Sequence, residues 1–562
     1  MSLAQAIGTG FRAISEGCRL HHCSRTATTL KSSLWSSVSP ERTFFVPHRR
    51  RIHFIITTSL SSSLTWPIPS IGHFNITVLF CQAFCVFSRF FISKSSTLDF
   101  FNSICYIIKA VWKVGYTMFT KMHLKNFRSF GNIELNLEGK RKQPKPLAMV
   151  YGENGMGKSN LVCGFATLIE LMHTMNVRDV MEMFLSNEQV QKLTNENAQS
   201  LFVALSNSLP DIKNISKRSR MVGSEEPVLL EYEFLLDGHR GRYLVELGVE
   251  EIIHERLEYI VEKNRGVYFD LTPTKVKLNQ RIFKSSEIFR EISELVKRYW
   301  GKHTLLAILL HERKDKADSY IQDSLSDYFR DVITAFCNVS CYTKPGSSEH
   351  EIEVDHIGML SNFEHGIISK QDEAVLTDME AALSTFFSSV NSDNRYVFYE
   401  RVPNGDDNIK YELKICKYIA GKERILNFEM ESTGNHQLLR IFRYLIVAMY
   451  GGTAIIDEID TGVHDLLMLK LIKEVYPHIK GQLIFTTHNT ALMEMKNIQQ
   501  FIYIISEDQS ANKLVKCIAD YETRTFQLNN IRNKYFDGAY SGIPSLEHID
   551  FTSILNVLGK YN

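Results

Sequence analysis

The strongest constraint on this chain is the octapeptide Gly152-Glu153-Asn154-Gly155-Met156-Gly157-Lys158-Ser159, which satisfies G-x-x-x-x-G-K-[ST] at every fixed position. Its flanks supply the context the pattern needs. Pro146–Tyr151 is a short apolar run that predicts a strand entering the loop, and Asn160–Met172 carries apolar residues at helical spacing. A strand, a glycine loop and a helix N-terminus make an anion site, because glycines let backbone N–H groups turn toward phosphate oxygens. The loop residues Asn154, Gly155, Met156 and Gly157, with Asn160 in the first helical turn, are the candidate cradle. Lys158 is placed to reach the β- and γ-phosphates, and the Ser159 hydroxyl to hold Mg²⁺. A glycine turn without a ligand gives no reason for Lys-Ser at the start of the helix.

Composition matters where it breaks. The whole chain of 562 residues is nearly neutral at +1, which is ordinary for a globular protein of several domains. Residues 1–117, however, hold 12 Lys+Arg against 3 Asp+Glu and five of the 10 cysteines. This segment shows neither helix nor strand periodicity. Its low acid content and Arg/Ser richness fit a transit peptide. Ile71–Ile92 has the length of a membrane segment, but His73, Asn75, Gln82 and Arg89 interrupt it. The reading preferred here is that 1–117 is an extension outside the native coding sequence, with the start at Met118. The remaining cysteines, Cys163, Cys337, Cys341, Cys416 and Cys517, form no C-x-x-C pair and no disulfide framework. Cys337 and Cys341 lack a second ligand pair for zinc. A reducing, cytoplasmic compartment and no membrane association are expected.

The coarse pattern after Met118 predicts an α/β protein. Lys121–Phe127 and Asn132–Glu138 alternate as strands, Val228–Glu250 reads as two strands around Asp237-Gly238, and Glu258–Glu262 and Val267–Asp270 extend them. Phe283–Phe336 and Glu364–Val390 read as helical, and Tyr396–Tyr399 and Ile409–Tyr418 return to strand. The expected layout is a core in two pieces, 118–175 and 426–500, separated by a β-strand and helical insertion lobe at 176–425 and followed by a tail at 501–562.

Three downstream stretches supply the chemistry a phosphate loop lacks. Gly452–Glu458 is an apolar strand ending in Asp457 and Glu458. One acid for the metal and one for the attacking water is the division that phosphoryl transfer to water needs, so Asp457 is the candidate metal ligand and Glu458 the candidate base. Gly481–Asn489 is a second apolar strand ending in His488, a candidate contact to the γ-phosphate, with one helix between the two. Glu431-Ser432-Thr433-Gly434-Asn435 precedes a helical run, so Ser432 and Gly434 stand at a helix N-terminus.

In this order, Lys158-Ser159, Ser432-x-Gly434, Asp457-Glu458 and His488 resemble the motifs of ABC-type P-loop ATPase heads. Asn435 stands where that family's signature has its second glycine. Leu124-Lys-Asn-Phe-Arg-Ser-Phe130 resembles the opening strand of RecF, SMC and OLD proteins. Ile459-Asp-Thr-Gly-Val-His464, and Asn530–Pro544 near the C-terminus, resemble the bacterial AAA-type ATPases of abortive-infection and Rlo-type phage-defence loci, with Asp465 in place of their usual Pro. Long SMC-type arms are not expected, because only 274 residues separate Lys158 from Ser432 and no sustained heptads occur. The 74 residues after His488 are too few for a fused Toprim nuclease.

The resemblance implies ATP and Mg²⁺ as ligands. It also implies a homodimer or higher assembly, in which Ser432 and Gly434 of one copy cap the γ-phosphate held by another. It further implies a switch in phage defence that controls a separate effector such as a nuclease. A RecF-like repair ATPase acting on nucleic acid is the alternative. The acidic balance of 118–562 argues mildly against a broad DNA surface, although Lys140–Lys145 and Lys217–Arg220 are small basic patches. No glutamine corresponds clearly to the family's Q-loop.

Overall fold

The structure, a computed structural model, describes residues 117–175, 210–315, 324–343, 350–352, 360, 362–521, 531–542 and 550–559. The extension before Thr117, residues 176–209 and, of the tail motif, Asn530 and Ile543-Pro544 lie outside the described residues.

The described residues open with β1 (Thr117–Phe127), β2 (Phe130–Asn136) and β3 (Leu147–Tyr151), then the glycine loop and α1 (Lys158–Met172). After α2 (Ile212–Ser219) come β4 (Val228–Leu236), β5 (His239–Leu247), β6 (Ile252–Val261), β7 (Asn264–Thr272) and β8 (Lys275–Leu278). Helices α3 (Ser286–Tyr299), α4 (Leu305–Asp315) and α5 (Asp327–Cys337) lead to β9 (Val339–Thr343), β10 (His350–Ile352) and β11 (His365–Ser369). Next are α6 (Glu373–Val390), β12 (Asn394–Asn404), β13 (Asn408–Ile419), β14 (Lys422–Asn427) and α7 (Thr433–Met449). The last elements are β15 (Thr453–Ile456), α8 (Asp465–Val475), β16 (Gln482–Thr486), β17 (Ile502–Glu507), β18 (Lys513–Cys517), α9 (Ile531–Phe536) and α10 (Phe551–Leu558).

The fold is α/β, with mixed sheets and flanking helices. Its centre is a seven-stranded sheet in the order β10-β9-β15-β16-β3-β17-β18. The inner strands β9, β15, β16, β3 and β17 run parallel, and the two edges are antiparallel. Strands β3, β15 and β16 are buried at every position, which is what a parallel sheet covered on both faces requires. Alternation sorts their side chains. Ala148, Val150, Ile455, Ile484 and Ile505 enter the core shared with α1, while Met149, Tyr151, Ile456, Phe485 and Ile504 enter the core beneath α7 and α8.

The second sheet, β2-β1-β4-β5-β6-β7-β8, is antiparallel and packs its apolar face on α1. Tyr232 of β4 lies against Phe119 and Phe165, and its hydroxyl donates to the Gly164 carbonyl in the middle of α1. The helix leaving the glycine loop is therefore held from both sides by sheet. The third sheet, β11-β13-β12 with β14 on β13, carries α6 and leads directly into α7. Among the described residues no helix is long and apolar enough to cross a membrane.

Three sequence expectations are corrected. First, residues 176–425 are not one inserted lobe: β4 pairs with β1, so β4–β8 complete a sheet begun before the glycine loop, and β9 enters the central sheet beside β15. Only Asn338, the C-cap of α5, separates that helix from Val339–Thr343, so the short strand reads in the sequence as the end of the helical run. Second, Glu364–Val390 is not helical throughout, because β11 precedes α6 and pairs with β13. Third, Phe130 and Gly131 belong to β2, which leaves Arg128-Ser129 as the whole hairpin turn; Arg128 sits in left-handed backbone there at φ 51°.

Candidate nucleotide site

The glycine loop begins where β3 ends and closes on the N-terminus of α1. Gly155 and Gly157 take φ of 82° and 101°, the left-handed region that only glycine enters without strain. At Gly157 there is also no room: an added Cβ would lie 2.7 Å from Phe130 Cε1. The β1–β2 turn thus forms the wall of the loop. It also holds the first helical turn, because Asn160 Nδ2 donates to Ser129 Oγ at 2.8 Å and the Arg128 guanidinium donates to Asn160 Oδ1 at 3.4 Å. Asn154 and Gly155 are exposed at the tip, Met156, Gly157, Ser159 and Asn160 are half-buried, and Lys158 is buried.

Lys158 is the electrostatic centre. Its Nζ donates to the carbonyls of Gly152 (2.8 Å) and Glu153 (3.0 Å), both neutral acceptors. Burial lowers its pKa, and the carboxylates of Asp457, Glu458, Asp460 and Glu153 act in the opposite direction. A desolvated ammonium whose hydrogen-bond partners are carbonyls, at the mouth of a glycine cradle, fits a phosphate well, since a charged acceptor binds it more strongly than a carbonyl does.

The two acids arrive from the far half of the chain. Ile456 stands abreast of Phe485, and Phe485 abreast of Met149, so β16 lies between the acidic strand β15 and the loop strand β3. At the strand spacing of a sheet, the tips of β15 and β3 are roughly 10 Å apart. Asp457 is 1 % exposed. Thr486, the last residue of β16, joins the acids: its Oγ1 donates to Asp457 Oδ1 at 2.6 Å and accepts from the Glu458 N–H at 2.7 Å. Glu458 itself sits at φ 48°, an unusual backbone for a non-glycine residue, and its Oε2 accepts from the Thr461 hydroxyl at 3.2 Å. Thr486→Val keeps the shape of the side chain but removes both bonds. It should cost about 1–3 kcal/mol of stability in denaturant unfolding, because a buried acceptor and donor lose their shared partner. A loss below about 0.5 kcal/mol would show that the hydroxyl does not hold the acids.

His488 follows two residues after Thr486. Its N–H donates to Asp460 Oδ2 at 3.3 Å. The imidazole keeps an exposed edge, yet desolvation and the nearby Lys158 ammonium lower its pKa, which favours the neutral ring. Lys158, Asp457, Glu458, Asp460 and His488 therefore form one electrostatic cluster, built from two distant parts of the sequence.

Ser432 and Gly434 stand at the start of α7. Ser432 is the N-cap of α7, accepting from the Asn435 N–H at 3.3 Å, and an added Cβ at Gly434 would lie 2.6 Å from the Gly462 carbonyl. Gly434 rests against Gly462, in the turn that follows Glu458. Asn435, where a glycine was expected, is 7 % exposed and donates to Glu431 Oε2 at 2.6 Å; Glu431 in turn pairs with Lys417 at 2.6 Å. The substitution is thus used to anchor the start of α7 to β13. His464, in the Gly-Val-His element, caps α8 by accepting the Leu466 N–H at 3.2 Å.

Sequence reasoning missed Thr486, Asp460 and the Arg128-Ser129 turn. Thr486 had a signal, since Thr486-Thr487 ends an apolar strand at the level where Asp457 ends the next. Arg128 and Ser129 had none, because only the hairpin fold brings them onto Asn160.

A strand, a left-handed glycine loop and a helix, flanked by a parallel strand that ends in adjacent acids, has the form of a phosphate-binding P-loop. A family model described as an AAA domain matches residues 121–335. No curated protein matches this chain. Among solved structures, the chain is similar to an SMC head bound to the C-winged helix domain of ScpA, at 14% identity and TM-score 0.33, covering 71% of this chain and 97% of that one. It is also similar to an SMC head domain from Thermotoga maritima, at 14% identity and TM-score 0.30, covering 71% and 98%. A third is the Smc head with an extended coiled coil bound to the C-terminal domain of ScpA derived from Pyrococcus furiosus, at 14% identity and TM-score 0.33, covering 72% and 97%.

Proposed function

We propose that this chain binds and hydrolyses ATP at the Lys158–Glu458 site and works as a nucleotide-driven switch. The observation that supports this most is that Asp457, Glu458 and Asp460, about 300 residues further along the chain, act on the Lys158 ammonium. The amides of 154–160 and Lys158 would bind the β- and γ-phosphates. The donor set of a half-buried Ser159 hydroxyl and a buried Asp457 carboxylate, all oxygen, fits Mg²⁺, which when bound neutralises phosphate charge. Glu458, with its backbone fixed by Thr486, orients the attacking water and takes its proton. Neutral His488 offers a hydrogen bond toward the γ-phosphate without competing with Lys158 for it.

Phosphate release from ATP by the purified protein with Mg²⁺, and its loss on adding EDTA, tests the reading. Release that continues unchanged after chelation, or no release and no ATP binding at all, would overturn it.

Ser432 and Gly434 stand at the N-terminus of α7, and from the resemblance of this segment to an ABC-type signature we infer that they meet the γ-phosphate of a second copy. The assignment to phage defence, with a separate nuclease as effector, rests on the resemblance of the Ile459–His464 and 530–544 elements. A RecF-like repair ATPase is served equally by the same site. DNA-stimulated turnover would favour repair, and phage-dependent toxicity with a neighbouring gene would favour defence.

A further inference from the structure

We propose that the C-terminal element 531–542 is a positioning part of the site, a clamp that holds the segment carrying His488; this rests on the hydrolytic reading above. His488 and Asn489 lead into a single turn of 3₁₀ helix, Thr490–Glu494, which Asn489 caps by accepting the Ala491 N–H at 2.9 Å. Helix α9 lies across that turn. Arg532 spans it, with Nε donating to Thr490 Oγ1 at 3.1 Å and NH1 to Glu494 Oε1 at 2.7 Å. One guanidinium therefore ties both ends of the turn to the tail.

A second connection reaches His488 from the other side. The hydroxyl of Tyr151, the residue just before the glycine loop, donates to the Asn489 carbonyl at 2.9 Å. The Tyr151 ring meets the edge of Tyr535 with centroids 6.0 Å apart. Tyr535 closes the tail on itself by donating to the Gly542 carbonyl at 3.0 Å, and Gly542 fits against Ile504 so closely that an added Cβ would lie 2.5 Å from Cγ2. The tail thus engages β3 through Tyr151, β17 through Ile504 and the 3₁₀ segment that follows His488 through Arg532. With Asp460 bonded to the His488 N–H, the backbone on both sides of the imidazole is fixed.

Packing alone would not need Arg532. Its side chain is 40% exposed, and an exposed ion pair contributes little to stability. Its distinctive property is geometric, because separate nitrogens of one planar fork meet the acceptors at the two ends of the turn, whereas a lysine must reach both from a single nitrogen. The element therefore sets where the imidazole stands, while its own residues touch no substrate.

The test compares Arg532→Ala and Arg532→Lys with the unaltered full-length chain. Arg532→Ala should keep its melting temperature and its ATP affinity but lose about tenfold in turnover at saturating ATP, a change in kcat without KM. Arg532→Lys should recover part of that loss. In nucleotide-free protein, amide exchange over 488–494 should be about tenfold faster in Arg532→Ala, with β3 unchanged. Turnover within twofold of the unaltered chain, equal loss of ATP affinity and turnover, or unchanged exchange over 488–494 would each overturn the clamp. If the unaltered chain hydrolyses no ATP, the hydrolytic reading fails, and the exchange measurement still decides whether the tail holds this segment.

Discussion

Lys158→Ala is expected to abolish nucleotide binding while leaving the fold intact. The two outcomes have the same origin. The ammonium is buried, and its hydrogen bonds run to the Gly152 and Glu153 carbonyls. Burial is the largest influence on its pKa and lowers it, which means that the folded protein pays for keeping this charge. Removing it takes away a desolvated cation, so thermal stability should hold or rise slightly. Binding is different. Charge-assisted hydrogen bonds to phosphate are each worth about 1.5–3 kcal/mol, and losing two of them weakens ATP by at least about a hundredfold. Titration with a fluorescent ATP analogue, alongside a melting curve, reads both. Affinity within twofold of the unaltered chain would show that Gly152–Ser159 is a turn and not a phosphate cradle.

Glu458→Gln should separate binding from turnover. The replacement has nearly the same shape, it can keep the contact with the Thr461 hydroxyl, and the backbone bond to Thr486 does not involve its side chain. ATP affinity should therefore persist. Turnover should fall by roughly 10²–10⁴, the range for loss of a positioned general base. A protein that binds ATP but cannot cleave it accumulates in whatever state ATP favours. If Ser432 and Gly434 cap the phosphate of a second copy, that state is a larger assembly. Size-exclusion chromatography of the variant with and without ATP tests this directly. An elution volume that does not move with ATP would remove the cross-subunit arrangement, whatever happens to turnover.

The parts of this site that could be read from the sequence are those whose chemistry depends on neighbours in the chain. Lys158 and Ser159 are recognisable because the loop, the strand before it and the helix after it are contiguous. Asp457 and Glu458 are recognisable as acids that end an apolar strand. What could not be read is which strands lie side by side. The sheet places β16 between β3 and β15, so the residue joining the acids, Thr486, comes from neither motif. The same limit explains the domain error. Strands β4–β8 look like an insertion because they follow α1, yet their register with β1 makes them part of the layer that supports that helix. Likewise, the left-handed turn at Arg128 is invisible until Phe130 is seen against Gly157.

The contact between Gly434 and the Gly462 carbonyl joins the segment each copy would lend to its neighbour with the turn that follows its own Glu458. There is no room for even a methyl group between them. In a two-fold pair, a displacement of the lent segment at one reaction centre would press on the centre of the lending copy. The two sites of such a pair would then fire in alternation or in concert, and not as independent engines.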